Sequence, residues 1–491
     1  MATGSAPNTW RMPKANFGDG APIDASGFHR LALEPTILKP QMLKLFRGLG
    51  PAAAASVNIA NMIGTGVFLK ARVMTCNVDT PTSVLLVWVM AGLLVVAGAL
   101  TYAELAAMMP KAGGEYVFIR AAYGPRWAFL QGWTSVVISR TGAHAAQAVS
   151  TAIFLNIMTG GALEGKLGLA AVSAILLTTL LNCAAVKTTG AVATVISAVK
   201  VALVLAVGAA TFLFAQGNWM NFAMANHEGL CAGVSPSARG GFSGFGAAML
   251  GALWGYQGWA NVTPMIGEIR DPGRNIPRAF LAATLIVGSV YLFANASYFY
   301  ALTPTEIAST PLSSSVATAA FSKFLGPVAV RVMAAAFTVS SLGALYAGIA
   351  ATMRVPYAMA CDGLFFRGLE RLSPRSNVPV RSAILIGLWM SVLALAGNYD
   401  RLTDYATFAL CLFYALTASA VFVLRRRMPD AVRPYRVWGF PIVPLLFILV
   451  IAAILLSTIY TSLPQTLVGF AFMAMGLPFY SYWSRRKPLR E

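Results

Sequence analysis

Runs of apolar residues recur along nearly the whole chain, separated by short polar loops. About twenty such residues in a helix cross a bilayer. On that ruler twelve helices are predicted, over residues 52–75, 82–109, 126–158, 166–186, 189–215, 243–267, 278–302, 327–361, 380–398, 402–424, 438–460 and 463–483. The third and eighth are long enough to tilt or to project past the lipid. Residues 46–491 therefore read as one all-α integral membrane domain. Residues 1–45 carry no such run and are polar, with scattered Pro, Gly and Asn. They read as a mostly disordered cytoplasmic tail, with a short amphipathic piece near Ile37–Phe46, and lack the layout of a signal peptide.

Two of the apolar stretches are interrupted. The first contains Asn58, Asn61 and Gly64-Thr65-Gly66, and the sixth contains Leu253-Trp254-Gly255-Tyr256-Gln257-Gly258-Trp259. Glycine costs roughly 1 kcal/mol against alanine inside a helix. Broken backbone at membrane depth is tolerated only where protein buries it or a water-filled cavity meets it. Four helices lie between the two broken ones, so the broken helices enter from opposite sides. Residues 52–215 and 243–424 are thus candidate five-helix inverted repeats, each beginning with a broken helix, and 438–483 adds two helices outside the repeat.

Charge supplies the orientation. The chain has 36 Lys and Arg against 17 Asp and Glu, a net +19, yet only 11% of its residues are charged; soluble domains carry about 25%. With the N-terminus inside, most basic residues fall on cytoplasmic loops, among them Lys111, Arg120, Arg270, Arg354, Arg371, Arg425, Arg433 and Arg485. Lys70, Arg72, Lys166, Arg239, Lys323, Arg331 and Arg401 fall outside, and Arg140 and Lys200 lie within spans. That asymmetry is the signature of topology and not of a nucleic-acid surface. Both termini are placed in the cytoplasm, in a multi-pass protein of the cell (plasma or inner) membrane surrounded by lipid. Five cysteines fit no zinc spacing and no disulfide framework. Cys76 and Cys231 both fall outside and could pair, but no short loop framework demands it, and the leading reading leaves them unpaired. Three histidines supply no metal cluster, no cofactor is implied, and the spans lack the paired groups a membrane enzyme needs.

The breaks suggest a chemistry. A helix N-terminus carries about half a positive charge and a C-terminus about half a negative one. A zwitterion fits such a gap, with its carboxylate on the N–H groups of Gly64, Thr65 and Gly66. Its ammonium would meet carbonyls near Met62 and Ile63 and near Trp254. Glycines that merely let helices pack are the competing reading. Lys200, near the middle of the fifth span, is too deep to reach water; an intramembrane charge is functional by default. It could donate to carbonyls near the first break, with Ser340 and Ser341 as hydroxyl neighbours, or form a structural ion pair. Arg140, with His144 and Gln147 on one helix face, could cap broken backbone or pair with a carboxylate. His144 could titrate and couple transport to protons, or simply pack. Trp254, Tyr256 and Trp259 flank the second break, where an aromatic could close as a gate. Glu104, Glu115 and Glu268 lie near cytoplasmic helix ends beside Lys111, Arg120 and Arg270, and are read as gate salt bridges or proton-coupling groups.

Several motifs in order carry a family resemblance. They are Ile63-Gly64-Thr65-Gly66-Val67-Phe68, Tyr102-Ala103-Glu104-Leu105, Pro110-Lys111-Ala112-Gly113-Gly114-Glu115-Tyr116, Glu268-Ile269-Arg270-Asp271-Pro272, Arg354-Val355-Pro356-Tyr357-Ala358 and Arg433-Pro434-Tyr435-Arg436. From Leu45 to Arg486 the chain resembles the amino acid–polyamine–organocation superfamily, in its L-type amino acid transporter branch, and looks prokaryotic. The resemblance implies alternating access by a five-plus-five inverted repeat, with amino acids held by main-chain groups of helices 1 and 6; Met62, Ile63, Gly64, Thr65, Gly66, Trp254, Gly255, Tyr256 and Gln257 are the substrate-site candidates. It implies that Lys200 replaces the sodium ion of related symporters and that Trp254 is the gate. Thr141, Gln257 and Ala260 depart from the branch pattern. The 159–166 loop has no cysteine, so no disulfide-linked heavy chain is expected. The expected function is sodium-independent transport of neutral L-amino acids, as exchanger or proton symporter. Transport of cationic amino acids or polyamines is the alternative, and a non-transporting sensor the remote one.

Overall fold

The computed structural model describes residues 47–184, 186–311, 314–396, 399–461 and 463–485; the expected tail, residues 1–45, and the amphipathic piece beside it lie outside them. Helices occupy each of the twelve apolar stretches. They are α1 (Pro51–Met62), α2 (Gly66–Val78), α3 (Pro81–Met108), α4 (Glu115–Tyr123), α5 (Pro125–Thr134), α6 (Arg140–Met158), α7 (Leu167–Cys183) and α8 (Val186–Phe214). After a long connection come α9 (Gly241–Gly255), α10 (Pro272–Ala301), α11 (Pro304–Ala308), α12 (Val316–Leu325), α13 (Val328–Thr352) and α14 (Arg354–Cys361). The last are α15 (Val380–Ala396), α16 (Tyr399–Arg427), α17 (Ile442–Thr461), α18 (Leu463–Ala474) and α19 (Gly476–Arg485). Among the described residues five helices are long and apolar enough to cross a membrane, six when the bent pair α1 and α2 counts as one. The short helices α4, α11 and α12 lie between the predicted spans.

Local chemistry sets the ends. Pro51 opens α1 and Pro81 opens α3, at positions whose N–H would have no helical partner. The Thr80 hydroxyl accepts from the Ser83 N–H and caps α3. Gly64-Thr65-Gly66 bends the path from α1 to α2 by 51°. A five-residue π-helical turn, Ser135–Ser139, precedes α6. Thr141 donates its hydroxyl to the Val136 carbonyl across it.

The closest packing sets α6 on α13 and α3 on α10; α2 on α9, α7 on α15, α1 on α8 and on α10, and α16 on α17 come next. One end of the bundle holds Arg120, Arg354, Arg425 and Arg433 and is the basic end. There Leu49, just before α1, exchanges backbone hydrogen bonds with Glu268 and Arg270.

At the other end one expectation fails. Cys76 and Cys231 are joined by a disulfide. The segment between α8 and α9 folds back over the end of α2, which brings together cysteines 155 residues apart in sequence. Arg72, placed outside with Lys70, is buried by the same segment and donates to the Ala232 carbonyl at 2.6 Å.

Candidate functional site

The two breaks meet. A Cβ placed on Gly66 would lie 2.9 Å from the Gly255 Cα, so the start of α2 and the end of α9 touch backbone to backbone. On the far side of Gly255 the Trp88 ring leaves no room for a Cβ either, at 2.6 Å. Beside this contact lies a cavity with about 500 Å³ of non-atom space, part of it open to solvent. Met62, Gly64, Thr65, Gly66, Trp254, Gly255 and Gln257 line it, with Asn61, Gln147 and Ser341.

Two of the nine substrate-site candidates do not line this cavity. Ile63 is fully buried behind it. Tyr256 turns the other way, its hydroxyl donating to the Trp88 carbonyl at 3.3 Å and its ring packed on Trp88 and Tyr291. The backbone is also busier than the sequence suggests. The Gly64 N–H donates to Met62 O at 2.8 Å, closing the tight turn of the break. Tyr291, on α10, points its hydroxyl at Met62 O and Gly255 O, at 2.7 and 2.8 Å. One phenol proton is shared between the carbonyl ends of both broken helices. A tyrosine in the middle of an apolar span was the one signal for it, and the sequence reading passed over it.

Lys200 is fully buried on α8. Its Nζ donates to the carbonyls of Ala60 at 2.6 Å and Ile63 at 2.8 Å. The Ser340 hydroxyl donates to the same Ile63 oxygen at 3.0 Å, and Ser197 donates to Ser56 O at 2.6 Å. The amine thus sits at the C-terminal end of α1, where the last carbonyls have no helical partner of their own. Ser341 lines the cavity and Ser340 does not.

The two asparagines of the first span staple α1 to the chain beyond the second break. The Val262 N–H donates to Asn58 Oδ1 at 2.9 Å, and Asn261 Nδ2 donates to Asn61 Oδ1 at 3.0 Å. Gly258 permits that approach: its φ is +101°, and a Cβ there would fall 2.8 Å from the Asn61 Cβ. Arg140 continues the chain, donating to Asn261 Oδ1 at 2.5 Å and Glu115 Oε2 at 3.1 Å. Glu115 also accepts from Gln131 at 3.0 Å. Of the two roles open to Arg140, the structure has the carboxylate pair. His144 faces the Gln147 side-chain oxygen through Nδ1 at 3.3 Å.

The three glutamates form ion pairs, but with other partners than their sequence neighbours. Glu104 pairs with Arg425 at 2.7 Å and lies 3.5 Å from Arg433. Glu115 takes Arg140, and Glu268 takes Arg354 in a two-point pair with both side chains fully buried. Arg120 pairs instead with Asp362 at 2.5 Å. The true partners lie 25 to 321 residues away, so local spacing could not reveal them. Trp254 is half-buried, with the Lys70 ammonium 5.8 Å from its ring centre. Among the described residues no cluster of His, Cys, Asp or Glu could hold a metal ion.

Two broken helices meeting at a small cavity, deep in an apolar bundle, is an arrangement for moving a solute and not for reacting one. A sequence model of the family described as amino acid permease matches residues 49–479. The b(0,+)-type amino acid transporter 1 of Mus musculus is 29% identical over 465 residues, covering 93% of this chain and 90% of its own. The serine/threonine exchanger SteT of Bacillus subtilis (strain 168) is 27% identical over 447 residues, covering 90% and 98%. The large neutral amino acids transporter small subunit 2 of Homo sapiens is 27% identical over 492 residues, covering 97% and 86%. With a match that runs from the segment before α1 into α19, the chain is a multi-pass membrane protein and no enzyme: it belongs to the amino acid permease family, within the amino acid–polyamine–organocation superfamily.

Proposed function

We propose that this chain is a secondary active transporter of neutral L-amino acids, sodium-independent, working by alternating access as an exchanger or a proton symporter. The observation that carries the reading is the contact of the two breaks at Gly66 and Gly255 beside a cavity lined by main chain of both. The first N–H groups of α2 have no helical partner, and with the helix dipole they favour the substrate carboxylate. The carbonyl ends of α1 and α9 favour its ammonium. Trp254 is the gate over this site.

Twelve crossings in two inverted five-helix repeats, with both termini in the cytoplasm, complete the proposal. The pairing of α2 with α9, α3 with α10, α6 with α13 and α7 with α15 supports it, because a two-fold axis in the membrane sets equivalent helices side by side. Lys200 supports sodium independence, since its ammonium fills the place of a cation at the end of α1. Arg140 and His144 stand beside the site as structural or coupling groups. A neutral substrate is favoured over a cationic one because the Glu115 carboxylate near the site is already paired with Arg140. Without a cysteine in 159–166, the transporter works with no disulfide-linked heavy chain.

The test is uptake of a panel of labelled amino acids by proteoliposomes, empty or amino-acid-loaded, with and without sodium and with an imposed pH gradient. Uptake only into loaded vesicles identifies an exchanger; accumulation in empty vesicles driven by inward protons identifies a symporter. Dependence on sodium, or no uptake of any amino acid, would sink the reading.

A further inference from the structure

At the basic end, the non-helical segment 428–441 is built into the bundle and crosses from one helix to the next. Arg433 donates to the carbonyls of Leu424 at 3.0 Å and Met428 at 2.8 Å, which fastens its beginning to the last turn of α16. It then reaches the start of α10, where a Cβ on Gly273 would fall 2.6 Å from the Pro434 Cβ. From there it passes across the end of α3, where the Val437 N–H donates to Glu104 Oε2 at 2.7 Å. Phe440 returns it to α16, packing on Phe422 with the Arg425 guanidinium 3.8 Å from its ring centre, and α17 follows.

This path sorts the arginines into two groups. Arg425 and Arg433 go to Glu104, Arg427 to the Ala122 carbonyl and Arg270 to the Gly48 carbonyl. Arg274 and Arg278 on α10, and Arg436 two residues beyond the Pro434 contact, are exposed. Among the described residues these three have no hydrogen bond or ion pair. Asp271 and Asp430 are the only carboxylates on residues 270–278 and 426–441, so the face keeps a surplus of positive charge that calls for an anion.

The surface beside these charges is apolar. Residues four apart share a helix face, and the face of α10 that carries Arg274 and Arg278 runs on into exposed Leu281 and Leu285. On α17, Ile442, Leu445 and Leu449 make a second exposed stripe. Both helices pack on α3, so the two stripes flank it. Trp438, on the crossing between them, is 77% exposed, and an amphipathic indole favours the headgroup level of a bilayer. A free anion or an acidic peptide would match the arginines and leave the stripes bare. A phospholipid covers both.

We propose that this face binds anionic phospholipid, with the headgroup on Arg274, Arg278 and Arg436 and the acyl chains along α10 and α17 beside α3. The site rests on the chain being a membrane protein and is independent of which solute it carries. Unpaired arginines give the headgroup preference, and the stripes give the affinity that any phospholipid shares.

The test titrates the purified full chain in detergent with phosphatidylglycerol or phosphatidylcholine of the same acyl chains, counting bound lipid by native mass spectrometry. Phosphatidylglycerol is expected to bind at least about tenfold more tightly, since each basic residue near an anionic headgroup contributes about fivefold. Each of Arg274→Gln, Arg278→Gln and Arg436→Gln should weaken phosphatidylglycerol about three- to fivefold and leave phosphatidylcholine unchanged. Arg375→Gln removes an equally exposed charge from the connection between α14 and α15 and should change neither. Equal affinity of the wild type for the two lipids overturns the proposal. An Arg375→Gln loss as large as the others reduces the effect to net charge and also overturns it, as do variants that weaken both lipids equally. Displacement of phosphatidylglycerol by equimolar inorganic phosphate or an acidic peptide would make the face a site for soluble anions or protein, and would overturn the lipid assignment.

Discussion

Removing the Lys200 ammonium tests whether a fixed cation holds the first broken helix. Nζ donates to Ala60 O at 2.6 Å and Ile63 O at 2.8 Å from full burial. A hydrogen bond from a charged group contributes about 1.5–3 kcal/mol, so the two together contribute about 3–6 kcal/mol to holding the end of α1. Two effects reduce that figure on substitution by alanine. The cost of burying the ammonium disappears, and Ser340 still serves Ile63 O at 3.0 Å. A net loss of about 2–4 kcal/mol remains, which at 1.36 kcal/mol per tenfold is roughly 30- to 1,000-fold. The cavity's own main-chain groups are untouched, so the loss should fall on the rearrangement of α1 and hence on turnover. In Lys200→Ala, kcat for uptake is expected to drop by that factor, while equilibrium binding of labelled substrate changes about threefold or less. A Cβ on Gly343 would lie 2.8 Å from the Lys200 Cε, so the stem is packed against α13. Lys200→Met keeps that stem and should lose turnover to a similar degree, which separates charge from packing. Equal binding together with equal turnover in both variants would refute the reasoning.

Bulk at the meeting of the breaks should be harsher than its size suggests. The 2.9 Å approach to the Gly255 Cα is backbone against backbone and cannot be relieved by a rotamer change. Gly66→Val is therefore expected to abolish substrate binding while the variant still melts cooperatively in detergent; retained binding would put the site elsewhere. For the buried Glu268–Arg354 pair, either single change, Glu268→Gln or Arg354→Met, should cost about 3–5 kcal/mol by stranding a charge or its hydrogen-bonding partners. The double variant should recover part of that loss. Strictly additive losses in thermal unfolding would show that the two side chains do not act as a pair.

The helices were legible because a bilayer-length apolar run leaves the backbone few alternatives. That constraint ends where the lipid does. The short helices α4, α11 and α12 are 9, 5 and 10 residues long, and so short a run does not fix its own helix. The Cys76–Cys231 bond depends on a segment folding back over α2, and no periodicity encodes that return. Likewise the glutamates announced themselves as costly charges, but their partners were fixed by tertiary packing across as many as 321 residues. Sequence spacing therefore identified which carboxylates need a cation and misassigned which cation each one has.

Within the site the same division appears residue by residue. Glycines at 64, 66 and 255 and the lysine at 200 are out of place in a simple apolar helix, and the structure sets all four around the breaks. Tyr256 looked equivalent to Trp254 because both are aromatic and two residues apart. In a helix two residues are about 200° apart, so the side chains point to opposite sides, and only Trp254 faces the cavity. Tyr291 and Asn261 went unnoticed for the converse reason. Each lies in a stretch where one polar residue among apolar ones is unremarkable until its partner is known. Their partners are main-chain carbonyls of α1 and α9 in one case, and Asn61 and Arg140 in the other. Polar residues that serve the broken backbone are thus found by asking where the backbone's own hydrogen bonds go. That question becomes answerable once the two breaks are known to touch.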